Sequence, residues 1–303
     1  MLSLSLALML MADWRWRADL GAEINAASHG VIDLAVNQGP WTLSLYTDTL
    51  DARYAVESGS GRANIGARLE APAALLLSSP WSQGAPDPSH GRLAGYGGVD
   101  GEWIRYLGHG LYAGLAGSLR VYWIESLGTI PFFSPELVLG YYRDSAELRL
   151  SFYADLGHER AAPRLAAYAR FKPRWVLAPF IELRAAVAES EDELTRTRLG
   201  GLNPYVVPLA GAGWAEFWVE DYAALRAGPS LTVSGLEVSA VADLVTFDGA
   251  REAGLALLAR YQWSRFFVEG SFGYSPTIAR QAGVLPISVW ARVGLDWSDR
   301  SAP

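Results

Sequence analysis

Apolar and polar residues alternate along most of this chain, and the clearest copy of the pattern runs from Leu231 to Trp263, LTVSGLEVSAVADLVTFDGAREAGLALLARYQW. Leu236, Val238, Ala240, Ala242 and Leu244 share one side of an extended strand, and Glu237, Ser239, Val241, Asp243 and Val245 share the other. After the turn Phe247-Asp248-Gly249-Ala250, the residues Ala253, Leu255, Leu257, Ala259 and Tyr261 oppose Glu252, Gly254, Arg260 and Gln262. A period of two marks β-strands with two different faces. The arms of this hairpin hold roughly 10 to 13 residues, about what a tilted strand needs to cross a bilayer and more than the usual soluble strand of about 5–6.

The same pattern predicts strands along the rest of the chain. Over Asp13–Asn25, Trp14, Trp16, Ala18, Leu20, Ala22 and Ile24 alternate with charged residues or glycine. Further strands are expected around Ile32–Val36, Trp41–Leu45, Ala63–Glu70, Ala73–Ser79, Gly98–Leu107, Leu111–Glu125, Glu136–Arg143, Ala146–Asp155, Arg164–Lys172, Trp175–Ala188, Tyr222–Val233, Phe266–Tyr274 and Ile287–Trp297. Asp51–Gly61, Pro80–Gly97, Ser126–Pro135, Leu156–Pro163, Glu189–Asp221 and Ser275–Pro286 read as loops, and Ala71-Pro72 as a break. From Asn37-Gln38-Gly39-Pro40 onward, tight connections tend to alternate with longer ones. That is the habit of membrane barrels with short turns at one end, long loops at the other and both termini on the turn side.

These features predict an all-β protein, an antiparallel up-and-down transmembrane β-barrel of about 16 strands. In lipid every backbone N–H and C=O needs a protein partner, so an open sheet edge is not allowed and the ring must close. A ring of that size encloses water or a plug. The inward face is expected to carry Arg15, Arg17, Asp19, Glu23, Arg68, Glu70, Glu147, Arg149, Arg170, Glu182, Arg184, Glu237, Asp243, Glu252, Arg260, Glu269, Arg292 and Asp296. Mixed signs predict salt-bridge ladders along the lumen, not a ring of one sign. A soluble barrel with a solvated outer face would explain the charges equally well. It would not explain apolar opposite faces around the whole chain with too few bulky residues to fill one core.

Composition changes the picture little. The 12 Trp and 14 Tyr suit interfacial belts, and aromatic packing is common in any β protein. The absence of cysteine excludes disulfides and thiolate metal sites. The formal charge of −7 speaks against nucleic acid as a partner. Met1–Ala12, MLSLSLALMLMA, is apolar and ends in a small residue, like the remnant of a secretory signal peptide. Residues 13–303 are expected to form a single outer-membrane barrel domain.

The last strand closes on an aromatic, Trp297, with Leu295 two residues before it, and so looks like the C-terminal assembly signal of bacterial outer-membrane barrels. The longest loop carries Arg198-Leu-Gly-Gly-Leu-Asn-Pro-Tyr-Val-Val-Pro-Leu-Ala-Gly between roughly the eleventh and twelfth strands. In this the chain resembles the bacterial surface antigen family, the barrels of outer-membrane assembly and two-partner secretion. In that family the loop at this place follows a Leu-Gly-Gly stretch and folds into the lumen. The resemblance implies that Arg198, Gly200, Gly201, Asn203, Pro204 and Tyr205 belong to a lumen loop. Asn203-Pro204-Tyr205 stands where the family has an Arg-Gly-Phe/Tyr tip, and no POTRA repeat is expected ahead of the first strand.

The sequence thus predicts a channel or translocation-type pore in the bacterial outer membrane. Its surroundings would be outer-membrane lipids and lipopolysaccharide, with the barrel assembly machinery as a partner during insertion. No cofactor is expected. A second reading is an outer-membrane lipid hydrolase barrel of the phospholipase or lipid A deacylase type, which needs a Ser activated by a His and an orienting group. The pairs Ser28-His29 and Ser89-His90 are adjacent in sequence and sit among turn residues, as do His109 and His158-Glu159, so no catalytic site is expected. Ser58-Gly59-Ser60-Gly61 lacks the Lys and following helix of a phosphate loop. A third reading is a soluble β-rich binding protein.

Overall fold

The computed structural model describes residues 15–24, 29–46, 49–77, 81–82, 85–86, 92–124, 128–157, 161–188, 197–202, 207–212, 217–278 and 285–296. Its strands are β1 (Arg15–Ile24), β2 (His29–Gln38), β3 (Trp41–Tyr46), β4 (Thr49–Ser58), β5 (Gly61–Leu77), β6 (Trp81–Ser82), β7 (Ala85–Pro86), β8 (Arg92–Gly108), β9 (Leu111–Ile124) and β10 (Gly128–Arg143). They continue as β11 (Ala146–Leu156), β12 (Ala161–Phe171), β13 (Leu177–Ala188), β14 (Thr197–Leu199), β15 (Phe217–Val219), β16 (Tyr222–Val233), β17 (Leu236–Phe247), β18 (Ala250–Trp263), β19 (Phe266–Tyr274) and β20 (Ile287–Asp296). Sixteen of them form a closed antiparallel barrel in the order β1-β2-β3-β4-β5-β8-β9-β10-β11-β12-β13-β16-β17-β18-β19-β20. The ring is sealed by β1 against β20, from Arg17 opposite Asp296 to Ile24 opposite Val289. The short pairs β6–β7 and β14–β15 lie within connections.

The connections sort by end. Residues 39–40, 59–60, 109–110, 144–145, 172–176, 234–235 and 264–265 join strands at the end where β1 starts and β20 stops. The other end carries 25–28, 47–48, 78–91, 125–127, 157–160, 189–221, 248–249 and 275–286, so long loops occur only there, among some short ones. Ser234-Gly235 (φ 47° and 82°) and Asp248-Gly249 (φ 45° and 80°) hold both central residues in the left-handed region. Two-residue hairpins use this geometry because its twist matches that of the strands.

The strand number agrees with the sequence reading, but several strand and loop assignments do not. Residues 51–61 are not a loop: β4 covers Thr49–Ser58, pairing with β3 and β5. Ala71-Pro72 does not end a strand: β5 runs through it, with a register shift between Glu70 and Leu75 that takes up the proline. The expected strand at 73–79 is therefore the far part of β5. Residues 126–135 are not a loop either. β10 starts at Gly128 and includes Pro131 and Pro135. Its ladder with β11 opens at Phe133 and skips from there to Glu136, so neither proline N–H is missed on that side. Likewise β8 starts at Arg92, inside the expected 80–97 loop, and β12 at Ala161.

Side chains follow the pleat. On β10 Phe133, Leu137 and Leu139 are about half exposed, whereas Phe132, Ser134 and Val138, on the alternate positions, are buried. On β17 Leu236, Ala240 and Leu244 face out, and Ser239, Val241, Asp243 and Val245 face in. The outward row circles the wall with Leu, Val, Ile and aromatic residues that touch no second protein layer. In lipid, covering each such side chain is worth about 1.5–3 kcal/mol. Trp41, Trp103, Trp175 and Trp263, each more than half exposed, gather toward the turn end, where Trp41 meets Tyr54 edge to face with centroids 4.8 Å apart. That is a belt of the kind placed at a membrane–water interface.

Candidate functional site: the barrel interior

Two sectors of the interior differ. Around β4, β5 and β8–β11 the inner face is charged and borders an open cavity. Arg53 binds Asp51 (3.0 Å) and Asp100 (2.9 Å), and Arg68 also reaches Asp51 (3.1 Å). Arg149 spans Glu102 (2.7 Å) and Glu136 (2.9 Å), while Arg62 takes the other oxygen of Glu102 (3.1 Å). Arg120 donates to Ser134 Oγ, which donates to Asp155. These groups border a cavity of about 500 Å³ lined by Arg53, Asp100, Glu102, Arg120, Glu136 and Arg149, among others. Three guanidinium and three carboxylate groups cancel, so the wall presents dipoles across the strands and not a field of one sign.

The sector formed by β13 and β16–β20 is filled. Within the 189–221 connection, Leu199, Leu209, Ala210 and Ala212 have no exposed surface. The Leu-Gly-Gly stretch makes a tight fold: Gly200 (φ 124°) donates its N–H to Val207 O, and Gly201 (φ 87°) exchanges two backbone hydrogen bonds with Leu209. This carries 207–212 to the inner wall. Ala210 N–H donates to Asp243 Oδ2 (2.8 Å), and Gly211 N–H to Ser288 Oγ (2.9 Å). Asp243 in turn receives Arg226 Nε (2.6 Å) and Nη2 (2.7 Å), so one carboxylate holds both the neighbouring strand and the inward segment.

Two glycines make room for that segment. A Cβ on Gly254 would lie 2.6 Å from Ala210 O, and one on Gly273 would lie 2.8 Å from Ala210 Cβ. Leu199, Val207, Leu209 and Ala212 then pack with Val219, Ala224, Val245, Phe247 and Ile278. Leu202 and Ala210 pack with Phe180, Val241, Ala256 and Trp290. From the 275–286 connection, Ser275 joins in by donating to Ala253 O (2.7 Å) while its N–H reaches Pro286 O.

The residues singled out from sequence are placed as follows. Arg17 binds Asp19 (3.1 Å) and Asp33 (2.7 Å); Arg292 binds Glu269 (2.9 Å), which also receives Trp290 Nε1 (3.2 Å). Glu237 pairs with Lys172, and Arg260 lies over the Phe267 ring, 5.2 Å from its centroid. Asp243 is the most enclosed of them, 1% exposed. Arg15 and Arg198 are placed as backbone in β1 and β14, with their side chains outside the described residues; Asn203, Pro204 and Tyr205 lie outside them altogether. So do Met1–Ala12, Ser28, Ser89, His90, His158 and the His29 side chain. His109 sits in a turn (φ 54°). Among the described residues no group of three or more His, Asp or Glu could hold a metal ion.

Sequence reasoning missed Arg226, Ser275, Ser288 and the role of Gly254 and Gly273. The signal was present for the glycines: both fall on the inward face of adjacent strands, where a missing side chain implies close approach of another backbone.

No known protein-family model matches the sequence, and a search of curated proteins finds no match. Solved structures do match in fold. CdiB from Acinetobacter baumannii superposes with a TM-score of 0.62 at 13% identity, over 94% of this chain and 60% of that one. BamA from Haemophilus ducreyi lacking POTRA domains 1–3 gives 0.64 at 11%, over 94% and 70%. CdiB from Escherichia coli gives 0.60 at 11%, over 92% and 62%. The chain thus spans about three fifths of the CdiB chains. By its fold it is an outer-membrane-type β-barrel that resembles the surface antigen barrels.

Proposed function

We propose that this protein is a channel or translocation-type pore of the bacterial outer membrane, with the 189–221 connection folded into the lumen to control it. The observation that carries this reading is the seat of residues 207–212 on the inner wall, fixed by Asp243 and Ser288, beside a sector that keeps a polar cavity. A wall needed only for anchorage has no use for either. Arg15, Arg17, Glu237, Asp243, Arg260, Glu269 and Arg292 belong, in this reading, to the lumen lining. Lipids and lipopolysaccharide surround the wall, the barrel assembly machinery inserts it, and Met1–Ala12 are the remnant of the export signal.

Deletion of Leu199–Gly213, followed by single-channel recording in planar bilayers, tests the proposal. A larger conductance supports an inward segment that narrows the pore. Unchanged conductance counts against it.

A further inference from the structure

The outer wall carries a groove near the turn end that the pore reading does not use. β4, β5 and β8 are in register so that Ser58, Gly61 and Arg105 form one row across them. Val56, Ala63 and Trp103 form the next row, and Tyr54, Ile65 and Gly101 the third. These residues lie on the outward face, with Val56, Ile65, Trp103 and Leu107 all about half exposed or more. On the middle strand Gly61 and Ala63 present almost no side chain, which leaves a furrow of about 340 Å³ between the β4 and β8 edges. Gly61 is confined to glycine, since its Cβ would come within 2.2 Å of Ile104 O. At the furrow's turn end Ser58 Oγ donates to Gly61 O (3.1 Å) and lies 3.0 Å from Ser60 Oγ, whose own proton is left to turn toward the furrow.

Arg105 stands at that end without a hydrogen bond or ion pair among the described residues. The nearby carboxylates are engaged on the other face: Glu57 by Tyr106 Oη, Glu102 by Arg62 and Arg149. A guanidinium on a lipid-facing wall is costly unless an anion meets it. At the depth of the Trp belt, the anions at hand are lipid phosphates. We propose that this furrow binds an anionic glycerophospholipid. The phosphate sits between Arg105 and the Ser60 hydroxyl, and one acyl chain lies over Ala63 and Ile65, flanked by Val56 and Trp103. The choice of an anionic lipid over a zwitterionic one follows from Arg105, whose charge is otherwise uncompensated.

This rests on the wall being lipid-facing, and the experiment separates the two claims. The barrel is placed in nanodiscs of equal phosphatidylglycerol and phosphatidylcholine, and the lipids retained on release are counted by native mass spectrometry. One arginine near the surface predicts about a five-fold enrichment of phosphatidylglycerol. Arg105→Gln is expected to bring the ratio to about one. Ala63→Trp, which fills the furrow and leaves the charge, is expected to do the same. Arg143→Gln removes an outward cation at the end of β10, outside the furrow, and keeps the enrichment. Equal retention by the parent, enrichment that survives Arg105→Gln, or equal loss in Arg143→Gln overturns the site while leaving the membrane reading intact. A chain that does not enter the discs overturns both.

Discussion

Replacing Asp243 tests how the inward segment is held. Its carboxylate is almost fully enclosed, and the Arg226 side chain it faces is 10% exposed. Asp243→Ala strands a buried guanidinium, which costs about 3–5 kcal/mol, and also orphans the Ala210 N–H. The double variant Asp243→Leu with Arg226→Met replaces the pair by apolar groups, a change that is often neutral for the wall. It still leaves the Ala210 N–H without its acceptor, at about 1–3 kcal/mol. That residue of cost lowers the ratio of seated to unseated segment by about five- to 150-fold. Two measurements separate the terms. Urea unfolding followed by gel mobility, heated against unheated, reports the wall: Asp243→Ala is expected to fall and the double variant to recover. Single-channel recording reports the segment: both variants are expected to show larger or more frequent openings than the parent. A double variant with parental currents would refute the anchoring role of Asp243, and a parental unfolding midpoint for Asp243→Ala would refute the buried-pair argument.

Gly254→Val places a side chain where Ala210 lies and is expected to expel the segment without touching any charge, raising conductance in the same recordings. Leu137→Arg, at an outward mid-strand position of β10, is expected to cost about 2–4 kcal/mol when urea titration is done in vesicles; no change would mean that this face does not meet lipid. Arg149→Gln leaves Glu102 and Glu136 short of one cation in the polar cavity, so the reversal potential in a salt gradient is expected to shift toward the cation's equilibrium potential.

The alternation of faces was legible from sequence because an outer wall in lipid and an inner wall in water impose opposite demands on neighbouring residues. The total of barrel strands came out right through two offsetting errors. β4 was hidden because Asp51, Arg53, Glu57 and Ser58 outnumber its outward Ala52, Tyr54 and Val56, so a true strand looked like a polar loop. β5 was cut in two because Pro72 signals a break, and pairing cannot be read from one chain segment: the register shift that absorbs the proline exists only against β8. The same reason explains Pro131 and Pro135 in β10. At the interior, Asp243 was singled out as an inward charge, but its partners were not foreseeable: Arg226 is on another strand and Ala210 donates through its backbone, which carries no residue signature. The Leu199-Gly200-Gly201 stretch was informative because two successive glycines with positive φ mark a fold in the chain that other residues resist.

The ring is not of even height. β3 has 6 residues, while β5 and β8 have 17 each. At about 3.3 Å per residue that is roughly 20 Å against 56 Å along the strands, around a hydrocarbon layer of about 30 Å. A cylinder cut on such a slant does not stand upright in a sheet of constant thickness. Either its axis leans until the low side is submerged, or the lipids beside β3 shorten to meet it, and molecules approaching from that flank cross the thinnest oil anywhere on the circumference.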